Sequence, residues 1–294
     1  MITAVTGATG FVGSHLVRRL LRDRHQVRAL VRKPTDRWAN QPGVTLVEGS
    51  IDNVAAMTDA FRGADCVYHL VGLIAETRTQ TFETTVVGGT RNVVQAAVAA
   101  GAGKLVYLSA MGTEAEALSR YHRTKYEAEQ TVIGSGLPYV ILRPSVIYGP
   151  GDGFVSLLAK LIRRSPVTPV FGSGRYQLQP VYIDDMTEIM TRALTSKSVL
   201  GQIVDCGGPE KLEYVSILDH IGAVLGKRRF RLHLPMAAAR LMAVVLETFL
   251  RPAPLTRDQL LMMETGNTGD IARMKELFGV DPIGFAEGLK RYLR

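Results

Sequence analysis

Through the first half of the chain, short apolar runs rich in β-branched residues alternate with stretches whose apolar positions recur at helical spacing. ITAVTG (2–7) leads into FVGSHLVRRLLRD, where Val12, Leu16 and Leu20 share one helical face. QVRALVR (26–32) and VTLVEGS (44–50) read as strands, followed by a helix around 54–62 and the strand CVYHLVG (66–72). A helix near 83–101, the strand KLVYLSA (104–110), a helix near 121–135 and the strand PYVILRPS (138–145) continue the rhythm. Strands that are apolar on both faces and separated by helices predict a parallel sheet covered on both sides. The expected fold class is α/β, a doubly wound parallel sheet.

After about residue 150 the rhythm loosens. A helix near 153–164 is followed by the turn-rich SPVTPVFGSGRYQLQP with a short strand, and VYIDD leads into a helix at 185–195. IVDCGG, a helix near 214–226 and an apolar, basic tail complete the chain. These strands are too few for a second doubly wound sheet. The spacing predicts a nucleotide-sized sheet domain over 1–150 and a smaller α+β lobe over 151–294, some of whose segments return to the sheet. Such a lobe rests on the strand ends, where open α/β sheets bind ligands.

Composition narrows the class without naming a ligand. The 294 residues are 46% hydrophobic and 21% charged, which excludes disorder as the main state. Two cysteines, Cys66 and Cys206, sit in apolar strand-like contexts and cannot build a disulfide framework or a CxxC metal site. The net charge of +8 suits a phosphorylated ligand, an anionic membrane surface or an acidic partner and selects none of them. Arg18, Arg19, Arg22, Arg24 and Arg28 are spread over a helix and its exit with no aromatic stacking platform, which argues against nucleic acid. The opening residues already read as strand and turn rather than as a targeting segment. LMAVVL (241–246), flanked by Arg240 and Glu247, falls far short of a membrane span of roughly 18 residues. The expected location is the cytoplasm, with peripheral attachment to a membrane as a further expectation.

TGATGFVG (6–13) sets Gly7, Gly10 and Gly13 between the first strand and the first helix. A glycine at the first position permits a sharp turn, at the second lets the backbone approach a pyrophosphate, and at the third allows close packing of helix on strand. The helix N-terminus then offers free N–H groups to the phosphates. The pattern therefore predicts a dinucleotide. An acidic side chain at the end of strand two would accept hydrogen bonds from a free ribose 2′-OH; here that position carries Arg32 and Lys33. Cations there favour the 2′-phosphate of NADP(H) over NAD(H), although both remain open and the pair also reads as ordinary solvated loop charges.

TGATGFVG, YHLVG (68–72), GGTRNVVQAA (88–97), KLVYLSA, YHRTK (121–125), LRPSVIYGPGD (142–152) and QPVYIDDM (179–186) together resemble the extended and atypical branches of the short-chain dehydrogenase/reductase superfamily. The later of these segments, with LPMAAARLMAVVLETFL and PLTRDQLLMM, are similar to the group related to the NAD(P)H-binding accessory subunit of respiratory complex I. The resemblance covers essentially the whole chain. It implies a Rossmann domain that contacts the nucleotide through Thr9, Phe11 and Val12 beside the three glycines. Further contacts are implied at Ser50 and Ile51 after strand three, Leu70 and Val71 after strand four, Lys125, and Pro144 with Val146 after strand six. The family's frequent GD dipeptide is Gly49-Ser50 here, a weaker partner for an adenine edge.

Tyr121 and Lys125 match the family's YxxxK motif, and their i, i+4 spacing puts both side chains on one helical face. An ammonium beside the phenol is expected to lower its pKa toward neutrality and to hold the nicotinamide ribose, leaving Tyr121 to trade a proton with a carbonyl or alcohol. The family's polarising hydroxyl after strand five falls on Ala110, with Ser109 or Thr113 as substitutes, and Val86 stands where relatives often have Asn. His69 reads as a packed histidine of the strand end more readily than as a catalytic one. Two functions stay open. One is a reductase, dehydrogenase or epimerase acting on a hydroxyl or carbonyl of a small or lipid-like substrate, a quinone included. The other is an NADPH-holding structural or assembly subunit of a membrane-associated redox complex.

Pro235 can open a helix and Pro252 closes it, giving a helix over 236–251 with a broad apolar face. It reads either as packed on the lobe or, with Arg228, Arg229 and Arg231 nearby, as a surface for a membrane or partner subunit.

Overall fold

The alternating runs of the first half fold into strands β1 (Ile2–Thr6), β2 (Gln26–Val31), β3 (Val44–Glu48), β4 (Cys66–His69), β5 (Leu105–Leu108) and β6 (Tyr139–Pro144). Helices α1 (Phe11–Arg22), α2 (Val54–Phe61), α3 (Gly89–Ala99) and α4 (Arg120–Ile133) lie between them. The computed structural model describes residues 1–33, 37–250 and 252–293. The expected continuous helix over 83–101 is instead a π-helical turn, Glu83–Gly88, running into α3.

The second half holds β7 (Ile147–Tyr148), α5 (Val155–Arg164), β8 (Val167–Phe171), β9 (Gln177–Leu178), β10 (Val181–Tyr182), α6 (Ile183–Thr195) and β11 (Gln202–Cys206). It continues with β12 (Leu212–Glu213), α7 (Tyr214–Val224), β13 (Phe230–Leu234), α8 (Met236–Phe249), α9 (Arg257–Thr265), α10 (Ala272–Phe278) and α11 (Phe285–Lys290). The turn-rich stretch thus carries two strands, β8 and β9, rather than one. The start of the apolar, basic tail forms β13, which pairs in parallel with β8. Arg251, the last residue of the expected helix 236–251, lies outside the described residues.

The main sheet is seven-stranded and parallel, in the order β11-β6-β5-β4-β1-β2-β3. The strand order runs outward in opposite directions from β1 and β4, and it is at the carboxyl ends of such a pair that open α/β sheets bind ligands. Strand alternation sends Val5, Tyr68, Val106 and Val140 to one face, against Leu16 and Leu20 of α1 and Met186 and Ile189 of α6. Ala4, Val67, Leu105 and Ile141 point to the other, against Phe61, Val93, Ala97 and Val132. All of these side chains are fully buried, each large one contributing about 2 kcal/mol. The burial pins the register of every strand, because a slip of one residue would exchange the two faces. A third cluster, around Tyr148, Leu158, Ile217 and Phe285, forms the lobe over the strand ends.

Candidate active site

Gly7 follows β1 with φ at +76°, a conformation L side chains rarely adopt. A Cβ there would stand 3.3 Å from the backbone of both Leu70 and Val71, so the glycine lets the ends of β1 and β4 close up. At Gly13 a Cβ would come within 2.8 Å of Gly7 C and 2.9 Å of Ala8 Cα. Gly10 caps α1 in extended conformation, and no side chain fills the cap or adds a negative charge to the first turn. The first N–H groups of α1 are thereby left to a ligand. Thr9 and Gly10 are exposed; Phe11 and Val12 are half-buried. A pocket of about 260 Å³ opens on this turn, lined by Thr9, Gly10, Phe11, Ser14 and the cations Arg18 and Arg37. Two close backbone approaches that require glycine, a bare helix start and a basic wall fit a pyrophosphate.

Arg32 and Lys33 are exposed just past the end of β2. The cation brought onto the glycine turn is another one, Arg37, whose guanidinium donates to the Thr9 carbonyl at 3.1 Å. The buried Trp38 indole donates to the Ala8 carbonyl at 3.3 Å and anchors that segment to the turn. Ser50 is half-buried after β3, and its hydroxyl accepts the Asp52 amide at 3.2 Å. Ile51 packs where a Gly89 Cβ would otherwise stand, and its carbonyl accepts from Asn92 at 3.0 Å. His69 is fully buried, with its ring nitrogens 2.9 Å from the Thr6 hydroxyl and 3.0 Å from that of Thr90. Burial holds its pKa down to about 3, which suits a neutral packing residue. Pro144 is buried at the end of β6, where its carbonyl accepts the Met111 amide at 2.9 Å; Val146 is half-buried and accepts the Val181 amide at 2.9 Å.

Helix α4 begins at Ser119, whose hydroxyl accepts the His122 amide at 3.1 Å. A second cap comes from far along the chain: the Asp258 carboxylate accepts the backbone N–H of Arg120 at 2.6 Å and of Tyr121 at 3.1 Å. One helical turn on, Lys125 is buried and its ammonium donates to the Leu108 carbonyl at 2.8 Å, at the carboxyl end of β5. It lies 4.8 Å from the centre of the Tyr107 ring and 3.7 Å from where a Gly72 Cβ would be. Burial lowers its pKa to about 8, against the pull of Glu129. Glu129 is itself neutralised by a two-pronged contact with Arg143, at 2.8 and 2.5 Å.

The phenol of Tyr121 departs from expectation. It belongs to a buried apolar cluster with Phe82, Val86 and Ala110, against which Met262 of α9 also packs. Desolvation there raises its pKa to about 12 rather than lowering it, and the ammonium of Lys125 is turned to a backbone carbonyl. Ser109 is buried with its hydroxyl 3.5 Å from that of Thr113, whereas Ala110 shares the Tyr121 cluster. Three residues escaped the sequence reading: Arg37, Asp258 and Asn267. The Asn267 amide donates to the Met111 carbonyl at 2.9 Å while its buried oxygen lacks a partner. None carries a local motif, and each reaches the site across a tertiary contact. Among the described residues no helix is long and apolar enough to cross a membrane.

The sequence pattern of the NAD dependent epimerase/dehydratase family matches residues 3–207. The Ceramide reductase of Caulobacter vibrioides is 35% identical over 185 residues, 63% of this chain and 58% of that protein, so the chain aligns with little more than half of that relative. The Sterol demethylase protein B of Methylococcus capsulatus is 28% identical, with 96% of this chain and 94% of that one covered. A mitochondrial NADH dehydrogenase [ubiquinone] 1 alpha subcomplex subunit 9 of Arabidopsis thaliana is 25% identical, covering 91% and 69%. Among solved structures, a UDP-glucuronic acid 4-epimerase from Bacillus cereus in complex with UDP-glucuronic acid and NAD superposes with a TM-score of 0.77 at 21% identity. It covers 99% of this chain and 97% of its own, a likeness of fold.

Proposed function

We propose that this chain, which belongs to the NAD dependent epimerase/dehydratase family, is an NADP(H)-preferring reductase of a carbonyl on a small, lipid-like molecule. The observation that carries the reading is the buried Tyr121–Lys125 pair on one face of α4, with the Lys125 ammonium at the carboxyl end of β5. The nicotinamide, when bound, supplies the hydride. Lys125 spends one N–H on the Leu108 carbonyl and keeps two donors for ribose hydroxyls. Tyr121, its phenol protonated at neutral pH, gives that proton to the substrate oxygen as the carbon is reduced, and a proton from solvent restores the phenol. The apolar cluster that holds Tyr121, with the Phe82 ring 5.9 Å from its own, favours an apolar substrate over a sugar. The Ceramide reductase and the Sterol demethylase protein B among the relatives support the same class. Arg37 on the glycine turn, with Arg32 and Lys33 nearby in sequence, supports the 2′-phosphate form of the nucleotide.

A second reading has its own observation. Ala110 and Val86 put apolar side chains in the Tyr121 cluster where the resemblance implies a polarising hydroxyl and an amide. The likeness to the complex I subunit then favours a nucleotide-holding subunit of a membrane-associated redox complex.

Oxidation of NADPH and NADH is to be followed over long-chain ketones, steroid ketones and quinones, with the parent and Tyr121→Phe. The reductase reading expects a substrate on which Tyr121→Phe loses on the order of 10²–10⁴ in rate with nucleotide affinity unchanged. If every substrate treats the two proteins alike while both hold NADPH equally, the subunit reading replaces it.

A further inference from the structure

The charges of helix α8 are gathered on the flank beside α9. Arg240, still 56% exposed, donates to Glu264 at 2.9 and 2.8 Å, and Glu247 accepts from the amide and the guanidinium of Arg257 at 2.9 and 2.7 Å. Ala239 and Ala243 pack on Leu255 and Leu260. The solvent side is left to Leu241, Val244, Val245 and Phe249, of which Leu241 is 67% and Phe249 78% exposed. Thr248 adds no polarity there, since its hydroxyl bonds back to the Val244 carbonyl at 2.8 Å. A surface helix ordinarily turns a polar face to solvent, and an exposed apolar face of this size is ordinarily covered.

The strand that feeds this helix has the complementary chemistry. Phe230 of β13 is 84% exposed and Leu232 53%. Beside them lies a cleft of about 750 Å³ walled by Lys227, Arg228, Arg229 and Arg231, with Asp219 bound to Arg231. Thr168, 2% exposed, also lines the cleft, and its hydroxyl has no hydrogen-bond partner. Four cations against one carboxylate, with an orphaned buried hydroxyl among them, fit a phosphate-bearing group.

From this juxtaposition we propose that α8 and β13 dock the protein on an anionic phospholipid surface, the apolar face entering the acyl boundary and the basic cleft taking headgroup phosphates. This goes beyond the proposed reaction and does not depend on it. Interfacial helices combine these two features, an apolar face and flanking Lys/Arg. A second copy of the chain fits less well: a symmetric pairing through α8 would bring two clusters of like charge together in a chain of net charge +8.

The test is co-sedimentation of the full chain with vesicles of phosphatidylcholine alone and of phosphatidylcholine with phosphatidylglycerol. Binding to the anionic vesicles, weakened by salt and lost in the double variant Leu241→Asp/Val245→Asp, is expected. Arg228→Ala, which leaves α8 intact, should weaken partitioning about fivefold, equivalent to the ~1 kcal/mol per basic residue near such a surface. Unchanged thermal unfolding and nucleotide retention establish that the variants are folded. The proposal is overturned if anionic vesicles leave the protein in solution, or if both variants bind as the parent does. It is equally overturned if light scattering finds a parent dimer that Leu241→Asp/Val245→Asp converts to monomer.

Discussion

Asp258, on the first turn of α9, holds Tyr121 by its backbone: the carboxylate accepts the Tyr121 amide at 3.1 Å and that of Arg120 at 2.6 Å. A negative charge at these otherwise unpaired N–H groups also complements the dipole of α4. The same helix α9 carries Met262 against the Tyr121 cluster and binds the charged residues of α8. The face proposed to meet a membrane is thus one helix away from the proposed proton donor.

Asp258 is therefore expected to act as a positioning residue. Asp258→Ala should cost about 1 kcal/mol of stability, the usual effect of losing a helix cap, and should lower kcat more than it raises KM. Asp258→Asn, which keeps an acceptor oxygen, should restore most of the turnover. Denaturant unfolding and steady-state kinetics check both, and a variant set that loses stability without any change in kcat would reduce Asp258 to a structural cap.

Nucleotide preference should follow the basic groups near the glycine turn. Arg37→Ala is expected to weaken NADPH roughly ten- to a hundredfold, as for one charge-assisted hydrogen bond, and NADH by less, since only the pyrophosphate contact is lost there. Arg32→Asp should tilt the order toward NADH by repelling the 2′-phosphate. Calorimetry on the parent protein decides the premise: equal affinity for the two nucleotides would end this reading.

The neutral His69 makes a prediction about acid. Above its ordinary pKa of 6.5 the imidazole is uncharged in both folded and unfolded chains and contributes no pH dependence. Between 6.5 and about 3 the unfolded chain binds a proton that the folded one refuses, so stability falls as pH drops through that window. His69→Gln should flatten this part of the curve, even if it lowers stability at neutral pH through the hydroxyls of Thr6 and Thr90. Urea unfolding of both proteins at several pH values supplies the comparison.

Gly13→Ala tests the turn itself. The added methyl would meet the backbone of Gly7 and Ala8, which has no rotamer with which to yield. A loss of about 1–3 kcal/mol is expected, in the range of overpacked sites, together with weaker nucleotide binding. Unchanged unfolding would mean that the turn relaxes freely.

The parts of this protein that its sequence determined alone are those that depend on near neighbours. Alternation at period two and recurrence at helical spacing are written into consecutive residues, so the parallel α/β sheet, the Gly7–Gly13 turn and the shared face of Tyr121 and Lys125 were all legible. Tertiary structure decided the rest. The hydrogen bond from Arg120 to Asp258 spans 138 residues and that from Asn267 to Met111 spans 156. β11 pairs with β6 although α5 and α6 intervene in the chain. The rise of the Tyr121 pKa comes from burial of the phenol in a cluster drawn from distant segments, while the Lys125 ammonium turns to the Leu108 carbonyl. Likewise, the pattern of α8 showed an apolar helix, but only its packing on α9 revealed that the charges pair along one flank and leave an apolar face in solvent. Desolvation, long-range capping and the facing of a helix are properties of what surrounds a residue, and the surroundings exist only once distant segments have met.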